Sequence, residues 1–292
     1  TIGLLGLSVI LGAVFIWQER RHPEPILPLV LFKNRQFVQP TLIVMAVGGG
    51  IFSSIQFLPM FLQTSLGTSA TMSGLLLTPQ SIGVAITSII GGQIVGRTGR
   101  YRRLVMGGAT AVLLGTSAML TLNEASPLLL IGVLMAMVGL GLGFVMPLMS
   151  PLIQNSVEQH LMGVASSSRQ FFMSIASVFG VAILGLVFTN GYVAAFSADQ
   201  SLRAEIPAAT YREFQAPTLS LNPTAFAQAR AEVLRQPGGQ ALLDRTTAAQ
   251  RAAMAAATHR LFIATTSIAA FLFLVVVTLN EVPLRRSFGA AE

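Results

Sequence analysis

Residues 36–96 read QFVQPTLIVMAVGGGIFSSIQFLPMFLQTSLGTSATMSGLLLTPQSIGVAITSIIGGQIVG, 61 positions without a single Asp, Glu, Lys or Arg. A helix crossing the hydrocarbon of a bilayer needs about 20 mostly apolar residues. This stretch is therefore long enough for two, joined at Thr64-Ser65-Leu66-Gly67-Thr68. Further charge-free runs cover 1–18, 104–123, 125–157, 170–198 and 261–280. The spans predicted from all of them are 1–17, 37–63, 71–96, 104–122, 128–150, 167–189 and 260–280. Ten-residue segments of alternating polarity, the mark of an outer-membrane barrel, do not occur. The expected fold class is an all-α membrane protein with seven transmembrane helices.

Composition agrees. Hydrophobic residues make up 53% of the 292 residues and charged ones 10%, against about 25% charged in ordinary soluble domains. Mean hydropathy is +0.70. These values exclude a soluble enzyme and a disordered tail. The net charge of +7 invites a nucleic-acid reading, but such binders gather their cations on one solvated face. Here the cations flank apolar runs, as loop charges beside a bilayer do, so no nucleic acid is expected. There is no cysteine, hence no disulfide framework or thiolate chemistry. Thr1 is no start residue and no charged leader precedes the first run, so a fragment lacking its N-terminus is expected.

Orientation follows from Arg and Lys in short loops. Arg20, Arg21, Lys33 and Arg35 lie in 18–36; Arg97, Arg100, Arg102 and Arg103 in 97–103; Arg169 is at the loop end of the sixth span; Arg285 and Arg286 are in the tail. All fall on one side, whereas the turns 64–70 and 123–127 hold none. The arginine side is expected to be cytoplasmic. Alternation puts 190–259 outside despite its six arginines, because long segments translocate largely regardless of charge. It reads as a solvated connector with short helices: Asn222-Pro223 starts one, and Pro237-Gly238-Gly239 ends it. The rarer alternative is a cap that captures a substrate or a partner.

Chemistry is scarce. No acid or base lies at the centre of any span, where a charge is costly and usually functional. His22, His160 and His259 are far apart at span ends, so neither a metal nor another cofactor is expected, and no nucleophile–base arrangement suggests an enzyme. The sharpest local signal is Gly92-Gln93-Ile94-Val95-Gly96-Arg97-Thr98-Gly99-Arg100-Tyr101-Arg102-Arg103-Leu104. Gly92 and Gly96 are spaced for close approach of a neighbouring helix. Gly99 permits a tight reversal, and Arg97, Arg100, Arg102 and Arg103 suit helix-end carbonyls, acidic partners or anionic lipid heads.

That segment resembles the cytoplasmic G-x-L-A-D-R-x-G-R-K motif of the major facilitator superfamily, in its degenerate C-terminal copy. Gly92, Arg97, Gly99 and Arg100 match; Gly96 replaces the motif's Asp. Pro23-Glu24-Pro25-Ile26-Leu27-Pro28-Leu29-Val30-Leu31-Phe32-Lys33-Asn34-Arg35-Gln36-Phe37 is similar to the linker of the fourteen-span drug:proton antiporters (EmrB/QacA subfamily). Gln154-Asn155-Ser156-Val157 and Gly163-Val164-Ala165-Ser166-Ser167-Ser168-Arg169-Gln170 resemble the loop before that subfamily's penultimate span. The resemblance implies that 1–17 is the last helix of a mid-chain hairpin, 18–36 a cytoplasmic linker, 37–280 a C-terminal six-helix transport bundle and 281–292 a cytoplasmic tail. It also implies three-plus-three inverted repeats with a midplane site. The partners implied are an N-terminal half carrying the proton-linked acid, protons as coupling ion, the lipid bilayer and a small amphipathic or cationic substrate. The implied location is a bacterial cytoplasmic (inner) membrane.

The polar and polarizable side chains left for the cavity are few. Phe52, Gln56 and Met60 share a face of the second span, and an amide there needs a partner or water. Gln80 follows Pro79, which disturbs the third span. Met146 and Met149 offer adaptable apolar surface, although core packing suits them as well. Gln170 and Ser174 share a stripe with Ser177, equally suited to helix–helix hydrogen bonds. Gly139, Gly141 and Gly143 allow close packing or bending, and Pro147 a kink. The expected function is proton-coupled multidrug efflux by alternating access, of which this chain is one half. The alternatives are a facilitator for another small solute and a non-transporting membrane scaffold.

Overall fold

The computed structural model describes residues 2–19, 21, 29–123 and 126–281. Residues 22–28 of the linker, with His22, and the tail arginines Arg285 and Arg286 lie outside the described residues. Helix α1 is Ile2–Glu19. Then come α2 (Arg35–Ser65), α3 (Ala70–Thr98), α4 (Arg102–Thr121), α5 (Leu128–Asn155) and α6 (Gln159–Phe196). Three shorter helices follow, α7 (Gln200–Glu205), α8 (Ala208–Phe214) and α9 (Pro223–Leu234), and then α10 (Gly239–Val277). Among the described residues 6 helices, α2 to α6 and α10, are long and apolar enough to cross a membrane. The first of the seven expected spans forms α1, whose described side chains are all exposed.

Local chemistry explains the breaks. Gly67 and Gly99 end their helices at φ 65° and 69°, a region that costs glycine nothing. Asn34 starts α2 by accepting from the Gln36 N–H at 2.9 Å. Pro59 and Pro79 displace the carbonyl one turn before them, so α2 loosens at Gln56-Phe57 and α3 at Leu76-Leu77. A second irregularity precedes the first: Val47–Phe52, around Gly48-Gly49-Gly50, is wound as a π turn.

Packing is backbone to backbone. Helix α5 is clamped between α3 and α4. A Cβ on Gly139 would collide with the Gln80 backbone, and one on Gly143 with Val84 and Thr87. Gly141, on the opposite side, faces Gly108 and Val112. Helix α2 presses its triple glycine on α6, where Gly49 meets both Gly180 and Ala176, while Gly50 faces Ile268 of α10. The outer surface is apolar: Leu129 is 79% exposed and Val178 71%, with Ile89, Phe179 and Leu274 also open. Leaving such side chains in water forgoes about 1.5–3 kcal/mol each, so the bundle is solvated by lipid.

Two helices outrun the bilayer. At 1.5 Å per residue, α6 and α10 are each roughly 57 Å long, against a hydrocarbon core of about 30 Å. Their projecting ends carry α7 to α9 as a cap. Tyr192 and Phe196 stack at 6.1 Å between centroids, and Tyr211 and Phe214 join them in a buried cluster. The Tyr192 hydroxyl donates to the Phe214 carbonyl at 3.0 Å. Thr64, at the end of α2, shares a 2.7 Å hydrogen bond with Ser220 of the cap. The segment expected as a solvated connector is thus packed, its aromatic cluster continuous with the core of the bundle, because α6 and α10 continue past the bilayer and it folds on them.

Candidate functional site

Of the proposed cavity side chains, Gln56, Gln170 and Ser174 are exposed, Phe52, Met60 and Met146 are half-buried against the core, and Gln80 and Met149 are buried. Gln80 lies under α5, its backbone against Gly139, and Met149 is 0% exposed. Those two hold helices together. The polar candidates left open are Gln56 on α2 and Gln170 and Ser174 on α6, two helices in direct contact. Gln56 sits at the break ahead of Pro59, where the backbone leaves regular helix. Pro147 is exposed on α5.

The seam between α2 and α6 is polar too. The Ser53 hydroxyl donates to the Gly48 carbonyl at 3.0 Å and to the Ser177 carbonyl of α6 at 3.3 Å. A Cβ on Gly48 would lie 3.0 Å from the Ser177 hydroxyl. A π turn leaves a backbone carbonyl without its regular partner, and Ser53 supplies one. Sequence reading missed this device, although the run Gly48-Gly49-Gly50 with Ser53 one turn on was its signal. Gly180 stands four residues after Ala176, one turn along the same face of α6, and was equally readable as a helix contact.

At the arginine-rich end, the motif glycines behave differently from those of α5. A Cβ on Gly92 or Gly96 would meet nothing within 4 Å. Among the described residues, then, no helix uses the close approach that their spacing allows. Gly99, at φ 69°, donates its N–H to the Val95 carbonyl at 2.8 Å and closes α3. Arg97 and Arg100 are exposed. The contacts at this end come from Arg102, one of the four arginines expected to meet helix-end carbonyls, and from Arg35, Gln39 and Tyr101, which were not singled out. Arg102 donates to the Val277 carbonyl at 3.2 Å and Arg35 to the Thr278 carbonyl at 3.3 Å. Gln39, only 7% exposed, donates to the same Thr278 carbonyl and to its hydroxyl, each at 2.9 Å. The Tyr101 hydroxyl donates to the Asn280 carbonyl at 2.9 Å. Helix α10 ends with carbonyls that lack intrahelical donors, and these side chains from the starts of α2 and α4 satisfy them.

The described acids are few and lie outside 35–155. In the cap, the Ser201 hydroxyl and backbone N–H donate to the Asp199 carboxylate and hold it below its ordinary value of 3.8. No group of three His, Cys, Asp or Glu positioned for a metal occurs among the described residues.

The family match runs from α1 into α6 and stops short of the cap and of α10. The family model described as Major Facilitator Superfamily matches residues 1–181. The Multidrug transporter protein MdtP of Bacillus subtilis is 41% identical over 187 residues, 64% of this chain and 34% of that protein. Multidrug resistance protein 3 of the same organism is 32% identical over 193 residues, 65% and 38% of the two chains. A tetracycline resistance determinant of Streptomyces rimosus is 29% identical over 184 residues, 63% and 53%. The matched region thus spans about a third to a half of these relatives.

Proposed function

Because the chain belongs to the major facilitator superfamily, we propose that it forms the C-terminal half of a multidrug efflux transporter of a bacterial inner membrane. Helices α2 to α6 and α10 are the six-helix transport bundle, and α1 is the last helix of a mid-chain hairpin. The short arginine-rich loops face the cytoplasm, and the cap faces outward. The observation that carries this reading is the 41% identity over 187 residues to a protein named a multidrug transporter. Fold likeness alone would carry no activity.

The geometry suits a shared pathway. Gln56, Gln170 and Ser174 are amide and hydroxyl groups on an otherwise apolar surface, and a polar group facing lipid would lack partners. A hydrated cavity closed by a second bundle supplies them. Phe52, Met60 and Met146 border it with polarizable surface adaptable to varied apolar or cationic ligands. The proton-linked acid belongs to the N-terminal bundle. The two bundles rock about the midplane site by alternating access, with the Gly92 to Arg100 segment docking on the partner bundle in one state.

The test is the full-length gene in a host stripped of its own drug pumps. Raised tolerance to several cationic amphipathic drugs, collapsed by a protonophore and changed in profile by Gln56→Ala or Gln170→Ala, is the expected result. Unchanged tolerance, with protein present in the membrane, overturns the reading.

A further inference from the structure

The cap holds an open groove of about 440 Å³ lined by Ser197, Gln200, Arg203, Ala204, Tyr211 and Gln215. That volume lies within the range of small-ligand sites, roughly 300–1,000 Å³. The floor is rigid: the Tyr211 ring is 5% exposed and lies 5.5 Å from Phe196, which stacks on Tyr192. One wall is fixed by the Gln215 amide, which donates to the Ser197 hydroxyl at 3.0 Å.

Charge is distributed unequally around this groove. Asp199 and Glu205 both turn to Arg245, at 3.9 and 2.9 Å, and Arg245 also reaches the Ser201 hydroxyl. Arg203, on the same short helix α7, has no ion pair or hydrogen bond among the described residues. The Tyr211 hydroxyl likewise has no hydrogen-bond partner among them, although its ring is buried. The groove therefore carries a guanidinium with no direct ion pair, a phenolic donor and the Gln200 amide, and none of its lining residues is acidic. A guanidinium presents paired donors that fit the two oxygens of a carboxylate. A single cation balances a monoanion and leaves a phosphate dianion half-neutralised. Ala204 and the edge of the aromatic floor suit a small apolar body attached to the acid.

We propose that this groove is a binding site for a small organic monocarboxylate, held by Arg203 and Tyr211. The site lies outside the family match, which ends at residue 181, and does not depend on whether the bundle exports drugs.

Benzoate is the probe, titrated calorimetrically into the whole chain in detergent micelles. Saturable binding in the millimolar range is expected, weakened about tenfold or more by Arg203→Gln, as loss of one charge-assisted pair implies. Arg203→Lys keeps the charge but not the fork and falls between the two. Tyr211→Phe weakens binding a few-fold, while Arg212→Gln, outside the groove, leaves it unchanged. All four changes lie at or near the surface of the cap, and its helicity by circular dichroism checks that each variant is folded. Absence of saturation, or benzoate binding that Arg203→Gln leaves intact, overturns the site. Inorganic phosphate competing as well as benzoate overturns the choice of a monocarboxylate.

Discussion

Gly180 of α6 and Gly49 of α2 touch through their backbones: a Cβ built on Gly180 would fall on the Gly49 carbonyl, closer than any real Cβ contact. The contact sits inside the π turn Val47–Phe52, with the Ser53 hydroxyl bridging to the Ser177 carbonyl at 3.3 Å. Two helices can only come this near where both lack side chains.

Gly180→Ala therefore forces α2 and α6 apart. Overpacking of this kind costs about 1–3 kcal/mol or more, and a marked drop in the melting temperature of the detergent-solubilised chain is expected. Gly185→Ala, whose added Cβ would sit at an ordinary 3.4 Å from Phe57, is the control and should leave it nearly unchanged. Equal melting of the two variants would contradict the backbone contact.

Gly92 and Gly96 predict the opposite behaviour. Their added side chains meet nothing within 4 Å in this chain, so Gly92→Leu and Gly96→Leu should leave its melting temperature the same or slightly higher, since helical glycine is about 0.5–1 kcal/mol worse than alanine. On the proposed reading, the same changes in the full-length protein should abolish drug tolerance by blocking the partner bundle. Retained tolerance would remove these glycines from the docking face.

Arg35, Gln39 and Arg102 converge on the last carbonyls of α10 at 2.9 to 3.3 Å. A cation at a helix C-terminus contributes about 0.3–1 kcal/mol. Arg35→Ala and Arg102→Ala together should fray the last turn, seen as faster amide exchange near residues 275–280 with the middle of α10 unaffected. Exchange unchanged by the double variant would show that these contacts hold nothing.

Asp199 supplies a pH test. Hydrogen bonds from Ser201 come first among the causes that hold its carboxyl below 3.8 in the folded chain. A folded value below the unfolded one means that the charged form favours the folded cap. That contribution is complete above the ordinary carboxylate range and fades as pH falls through the lowered value. Carboxyl-carbon resonances of Asp199 should titrate below 3.8 and move up toward it in Ser201→Ala.

Charge-free runs located α2 to α5 to within a few residues, since a bilayer excludes unpaired charge whatever the tertiary arrangement. They placed the sixth and seventh spans at 167–189 and 260–280, whereas α6 covers Gln159–Phe196 and α10 covers Gly239–Val277. Hydrophobicity marks only the lipid-crossing part of a helix. Gln80 and Gln56, alike as intramembrane amides, end up one buried and one exposed, and no single-helix pattern separates them. Gly92 and Gly139 look equally suited to helix contact; only one has a neighbour in this chain.

The order of residues alone settled what the solvent dictates: an all-helical chain made for lipid, arginines gathered at loops, and turns where glycine and proline demand them. Those are one-body properties, decided by transfer of each segment between water and hydrocarbon. Folding in three dimensions decided the two-body ones. It chose which glycines became contacts, which amides stayed open, that Arg102 and Gln39 would cap a helix some 175 or more residues away, and that 190–259 would pack around Tyr192. In lipid, helices gain little from merely hiding apolar surface, so their pairing rests on close fit and hydrogen bonds, and fit exists only between surfaces already brought together.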